Sequence, residues 1–166
     1  MLIMDAAHWA QLTQVQAQVS QEIRYVHPAE VAGGSFLWEA ATKQGDCKGI
    51  AMAKRQRLLD LGWPPQALRI ALVRTEKGEM HAVLTVDSTS LSGQAGTYVL
   101  DNRFVDVEPW QALTGYTWIS RQSGATWVVT NPPVVTMVAT VKAQGPAPVE
   151  LAAPIQPIAP IELAAN

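Results

Sequence analysis

The sequence predicts a single α+β domain, with helices first and a run of strands after them. Two patterns carry that expectation. Apolar residues recur at three- and four-residue steps up to Leu61, and beyond Pro64-Pro65 they alternate in short stretches separated by turn-forming residues. Size and composition agree. A chain of 166 residues holds one domain with a real core, and a hydrophobic content of 48% with six tryptophans can offset the entropy of ordering it.

The first helix is expected from Asp5, a suitable N-cap, to about Tyr25, with Trp9, Leu12, Val15, Val19 and Ile23 on one face. His27-Pro28 and Gly33-Gly34 break it and leave a loop carrying Phe36, Leu37 and Trp38. A second helix runs from Gly45-Asp46-Cys47 to about Leu61. Its inward stripe is Cys47, Ile50, Ala51, the stem of Lys54, Leu58 and Leu61, with the Lys54 ammonium and Arg55 along a solvated edge. Gly62-Trp63-Pro64-Pro65 ends it, since glycine suits the left-handed terminal position and proline forbids continuation.

Strands follow. Residues 68–74 and 80–86 flank a turn at Glu76-Lys77-Gly78-Glu79, and a Ser/Gly-rich loop from Asp87 to Gly96 leads into residues 97–101. Shorter apolar pieces lie near 105–107, 116–119 and 127–129, and Val134–Val141 reads as an edge strand. The domain is thus expected over residues 1–141, and residues 142–166 as an Ala/Pro-rich flexible tail. The tail repeats Pro-x-Glu-Leu-Ala-Ala at 148–153 and 160–165.

A formal charge of −2 with 16% charged residues leaves no basic footprint for nucleic acid. No apolar run is long enough to span a bilayer. The N-terminus reaches Asp5 without a positive leader, so a cytoplasmic location is expected for the chain as written, and a monomer. One cysteine and three histidines give neither a disulfide nor zinc-ligand spacing.

The lone cysteine is either a buried small hydrophobe or a reactive thiol. Cys47 falls in the first turn of the second helix, where free N–H groups and the dipole favour a thiolate. His81 opens a strand and Asp101 closes one. Alone, each has an ordinary structural reading, as a satisfied strand histidine and a turn-starting aspartate. Together they say more. An antiparallel hairpin of 81–86 with 97–102 that sets His81 opposite Asp101 places the bend near Leu91, within the Ser/Gly loop, and puts both side chains on one face. Cys47 would then attack an acyl carbon, His81 would carry the proton and Asp101 would fix the imidazole tautomer. The Cys47 backbone N–H is the first oxyanion donor, and the Gln44 side chain or the Trp38 indole is the second. Trp63, Trp110, Trp118 and Trp127 read as core or groove aromatics, and His8 and His27 as surface residues.

An ordered series of motifs extends this set. Gly45-Asp46-Cys47, Ala51-Met52-Ala53-Lys54 and Gly62-Trp63-Pro64 resemble the nucleophile helix of the bacterial transglutaminase-like cysteine proteinases. The likeness continues through Val73-Arg74-Thr75, Gly78-Glu79, His81-Ala82-Val83-Leu84, Leu100-Asp101-Asn102, Trp110, Gly115-Tyr116 and Ser120-Arg121-Gln122. Upstream, Ile23-Arg24-Tyr25 and Trp38 are similar too. The resemblance implies a papain-like, transglutaminase-like fold with the nucleophile helix packed on an antiparallel sheet. It also implies a cysteine peptidase acting on a protein or peptide through Cys47, His81 and Asp101. Transglutaminase- or deamidase-type acyl transfer and a non-catalytic peptide-binding module are the other functions open to that fold. The known relatives are periplasmic proteases that release biofilm adhesins near paired alanines and require calcium, held by acidic residues beside the cysteine. Here Asp46 remains as a vestigial calcium-ligand candidate, while Lys48 and Gly49 replace the acidic positions, so no cofactor and no metal is expected, with calcium as the alternative.

Overall fold

The computed structural model describes residues 2–30 and 38–130. The expected edge strand at 134–141, the domain boundary at 141, the tail with its repeat, and Phe36 and Leu37 lie outside the described residues.

Two helices and a mixed, mainly antiparallel sheet make the fold. Helix α1 is Ala6–Glu22, with the Asp5 side chain accepting from the His8 N–H as N-cap. Leu12, Val15, Val19 and Ile23 are buried, as the periodicity requires. Helix α2 is Cys47–Asp60, capped by Asp46, whose side chain accepts from the Gly49 N–H. It ends as the sequence demands: Gly62 has φ +85°, Gly62 N–H bonds the Leu59 carbonyl, and Trp63 N–H bonds that of Leu58. Those are the paired bonds of a Schellman termination.

Before α2 come β1 (Ile3–Met4), β2 (Arg24–Tyr25) and β3 (Gln44–Gly45). After it come β4 (Leu68–Arg74), β5 (Met80–Ser90), β6 (Ala95–Leu100), β7 (Glu108–Pro109), β8 (Thr117–Ser123) and β9 (Thr126–Val129). Among the described residues the main sheet runs β7-β6-β5-β4-β8-β9, with β1 added in parallel to β5, and β2 pairs with β3 separately. One apolar cluster joins α1 and α2 to Leu68, Ile70, Ala82, Leu84, Val86 and Leu100; a second gathers Ala71, Val73, Val83, Val99, Leu113, Tyr116 and Trp118. Strand residues alternate between the two clusters because successive side chains point to opposite sheet faces.

Three expectations need correction. The Ser/Gly stretch is mostly strand: β5 continues to Ser90 and β6 begins at Ala95, leaving only residues 91–94 to turn. Its register pairs Leu84 with Leu100 and Thr85 with Val99. Continued outward, that register sets Asp101 opposite Val83, with His81 its diagonal neighbour. The slip is two residues, and an even slip keeps every side chain on its face, so the His81–Asp101 encounter survives. Lys54 is not at a solvated edge but 0% exposed, while Leu61, assigned to the inward stripe, is 51% exposed. Of the four tryptophans read as core or groove residues, Trp63 and Trp118 are buried, Trp110 is half-buried, and Trp127 lies exposed against Trp38.

Candidate active site

Cys47, His81 and Asp101 arrive from α2, the start of β5 and the residue after β6, and they meet. His81 Nε2 lies 2.8 Å from Asp101 Oδ1. The imidazole's other nitrogen, Nδ1, is left for exchange with sulfur, and Cys47 acts on the ring through both a hydrogen bond and its charge. All three residues are buried, Cys47 to 7% exposure. The Asp46 cap engages the Gly49 N–H, so capping does not use the Cys47 N–H.

Burial opposes charge on His81, yet the hydrogen bonds from Asp101 and then Cys47, with their charges, win. The imidazole pKa is raised from 6.5 to about 9. Burial likewise pushes the Asp101 carboxyl up, but the His81 bond and charge, the Tyr116 hydroxyl and the Arg103 N–H hold it below the usual value. An imidazolium paired with a carboxylate is therefore the resting state at neutral pH.

Three side chains that the sequence reading missed hold the aspartate. Tyr116 donates its hydroxyl to Asp101 Oδ2 at 2.5 Å and packs edge-on against His81. Arg103 donates its backbone N–H to Asp101 Oδ1 at 2.9 Å, while its guanidinium bonds the Tyr116 hydroxyl at 2.9 Å and pairs with Glu76 at 2.5 Å. Gln16 of α1 donates to the carbonyls of Asp101 (2.7 Å) and Phe104 (2.8 Å), while its own oxygen accepts from the buried Lys54 ammonium at 2.7 Å. Burial lowers the Lys54 pKa to about 8 against the supporting charge of Asp101. Replacing Tyr116 by Phe removes one bond to the carboxylate and leaves the ring. The expected result is a fall in kcat/KM of about tenfold with little change in melting temperature, the size of one lost charge-assisted bond.

The two second-donor candidates sit differently. Gln44 lies in β3, three positions before Cys47, with its amide oxygen held by Arg24 at 2.5 Å. Trp38 stacks on Trp127, ring centroids 5.5 Å apart. Tyr25, paired with Gly45, stands near enough to Cys47, Asp46 and Glu79 that their charges, after burial, raise its phenol pKa. His27 is exposed and His8 is half-buried, bonded to Asp5, and neither belongs to the site.

A family model described as bacterial transglutaminase-like cysteine proteinase matches residues 1–132. The chain belongs to that family. It is a cysteine-type peptidase, and its substrate class is protein. Among solved structures, calcium-bound LapG from Legionella pneumophila superposes with a TM-score of 0.60 at 19% identity, covering 72% of this chain and 67% of that one. A second LapG structure gives 0.59 at 20% identity with the same coverage, and an EGTA-treated form gives 0.59 at 19% identity, covering 74% and 67%. At those identities the likeness establishes the fold, which is the transglutaminase-like, papain-like one. Comparison with curated proteins gave no match.

Proposed function

We propose that this peptidase cleaves its protein substrate through an acyl-enzyme on Cys47, with His81 as acid and base and Asp101 as the residue that orients it. The observation that carries the reading is the buried His81–Asp101 bond, with the helix-capped thiol on the other side of the same imidazole. The thiolate attacks the scissile carbonyl, and the imidazolium passes its proton to the leaving amine. Water, deprotonated by the now neutral imidazole, then releases the acid product and frees the sulfur. The Cys47 N–H faces the developing oxyanion. Gln44 is the better second donor, because Arg24 holds its amide oxygen and leaves the NH₂ group to donate. Tyr25 flanks the thiol from β2 and offers a hydroxyl to the substrate backbone. One LapG structure holds calcium, which makes the ion plausible within this fold; the chain's own groups nevertheless supply every proton and charge used in these steps.

Alkylation of Cys47 by iodoacetamide, followed by intact mass, tests the pairing without a known substrate. With its pKa raised to about 9, the imidazole is charged at neutral pH and loses that charge as pH rises through about 9. The wild-type rate should be fast at pH 7 and nearly flat to about pH 9. In His81→Ala the rate at pH 7 should be at least about tenfold lower, and the flat profile should be lost. Identical profiles for the two proteins would leave an inert cysteine and a non-catalytic module.

A further inference from the structure

Calcium beside the nucleophile is tested by the residues around Asp46, and they do not fit it. Asp46 is 3% exposed, and both its carboxylate oxygens are committed. Oδ1 accepts from the Gly49 N–H at 2.9 Å, and Oδ2 is paired with the ammonium of Lys48, itself only 9% exposed. Calcium takes about six to eight oxygen ligands. The two positions after the cysteine supply an ammonium and no side chain at all. Space for one is tight: a β-carbon at Gly49 would meet Ala41 Cβ at 3.1 Å, and across the same alanine one at Gly45 would meet it at 2.5 Å. Among the described residues, no three His, Cys, Asp or Glu side chains gather as a metal site.

We propose that the Lys48 ammonium is a tethered cation that takes the place of a divalent ion beside the nucleophile. A buried carboxylate without a counter-charge is expensive, and the partial charge of a helix end covers only part of it. The ammonium supplies the remainder from within the chain and holds the carboxylate where it caps α2. The backbone turn at Asp46-Cys47, and with it the direction of the thiol and its N–H, is thereby set without any dissolved ion. A covalently attached charge cannot be diluted or chelated, so the site stands assembled at every calcium concentration. This places Lys48 as a positioning residue and rests on Cys47 being the nucleophile only for the thiol readout.

The experiment uses the full chain in millimolar calcium chloride or EGTA, reading melting temperature and the rate of Cys47 alkylation. Wild-type values should be the same in both buffers. Lys48→Met should lower the melting temperature by roughly 5–10 °C in both buffers and slow alkylation, as expected for a buried carboxylate left unpaired; Lys48→Arg should restore most of both. Lys48→Glu should be destabilised in EGTA by two adjacent carboxylates and recover with calcium, because the exchanged charge reopens a cation position. A calcium-dependent rise in the wild-type melting temperature would overturn the proposal. So would a Lys48→Met protein matching wild type in both readouts, or a folded Lys48→Glu protein indifferent to calcium. Melting temperature needs no turnover, so failure here leaves the triad standing, and a failed triad leaves these shifts intact.

Discussion

Cys47→Ala is expected to reduce peptide-bond cleavage to the background rate, a loss of at least about 10⁴-fold, while the protein melts within a few degrees of wild type. The two halves belong together. Alanine removes only sulfur from a small buried site, so packing is nearly conserved. What goes is the atom that forms the covalent intermediate, and neither His81 nor Asp101 can replace it. The measurement is cleavage of a protein substrate followed by mass spectrometry, with a denaturing quench to capture the thioester on Cys47 in wild type. A Cys47→Ala protein that still cleaves at the wild-type rate would move the nucleophile elsewhere in the chain.

Gln16→Leu should be the most damaging single change outside the triad. Gln16 is 1% exposed and makes three buried bonds, two to carbonyls flanking the aspartate and one to the Lys54 ammonium. Leucine fills similar space but leaves two carbonyls and a cation without partners. Stranding a buried charge costs about 3–5 kcal/mol, and the carbonyls add to it. Chemical denaturation should register the loss as a lower midpoint. The double variant Gln16→Leu with Lys54→Met should recover part of it, since methionine fills the buried lysine's place without a charge to strand. If the double variant is no more stable than the single one, the cation is not what Gln16 supports. Activity should fall in both, because the Asp101 segment has lost its tie to α1.

These side chains also show where the sequence was readable and where it was not. Helix α2 was legible to within a residue, because its signals are local: an aspartate cap, a glycine exit and two prolines. The position of Cys47 at the helix start came with it. The hairpin was readable in parity but not in register, because Ser88, Thr89, Ser90 and Gly96 look like a loop until β5 and β6 pair there and β1 adds alongside Thr89 and Ser90. Lys54 misled for a related reason. Its buried partner, Gln16, is 38 residues away, and nothing near Lys54 in the chain announces it. Tyr116 sits 15 residues past the aspartate it binds, and aromatic residues near a strand end usually signal packing rather than a hydroxyl contact. Its place in Gly115-Tyr116, among the family-like motifs, was the one available signal.

The bonds from Gln16 span 85 and 88 positions of chain. A segment fastened across that distance cannot fray by itself: to swing Asp101 away from His81, the molecule must also loosen α1 at its middle turn. Local opening is cheap where few contacts cross, and here the crossing contacts belong to the earliest helix of the domain. The Asp101 carboxylate therefore shares one cooperative unit with residues far upstream, and a newly made chain that has exposed its cysteine gains the His81–Asp101 pair only when the segment after β6 has closed on the first helix. Reactivity is in this sense a report on completed folding.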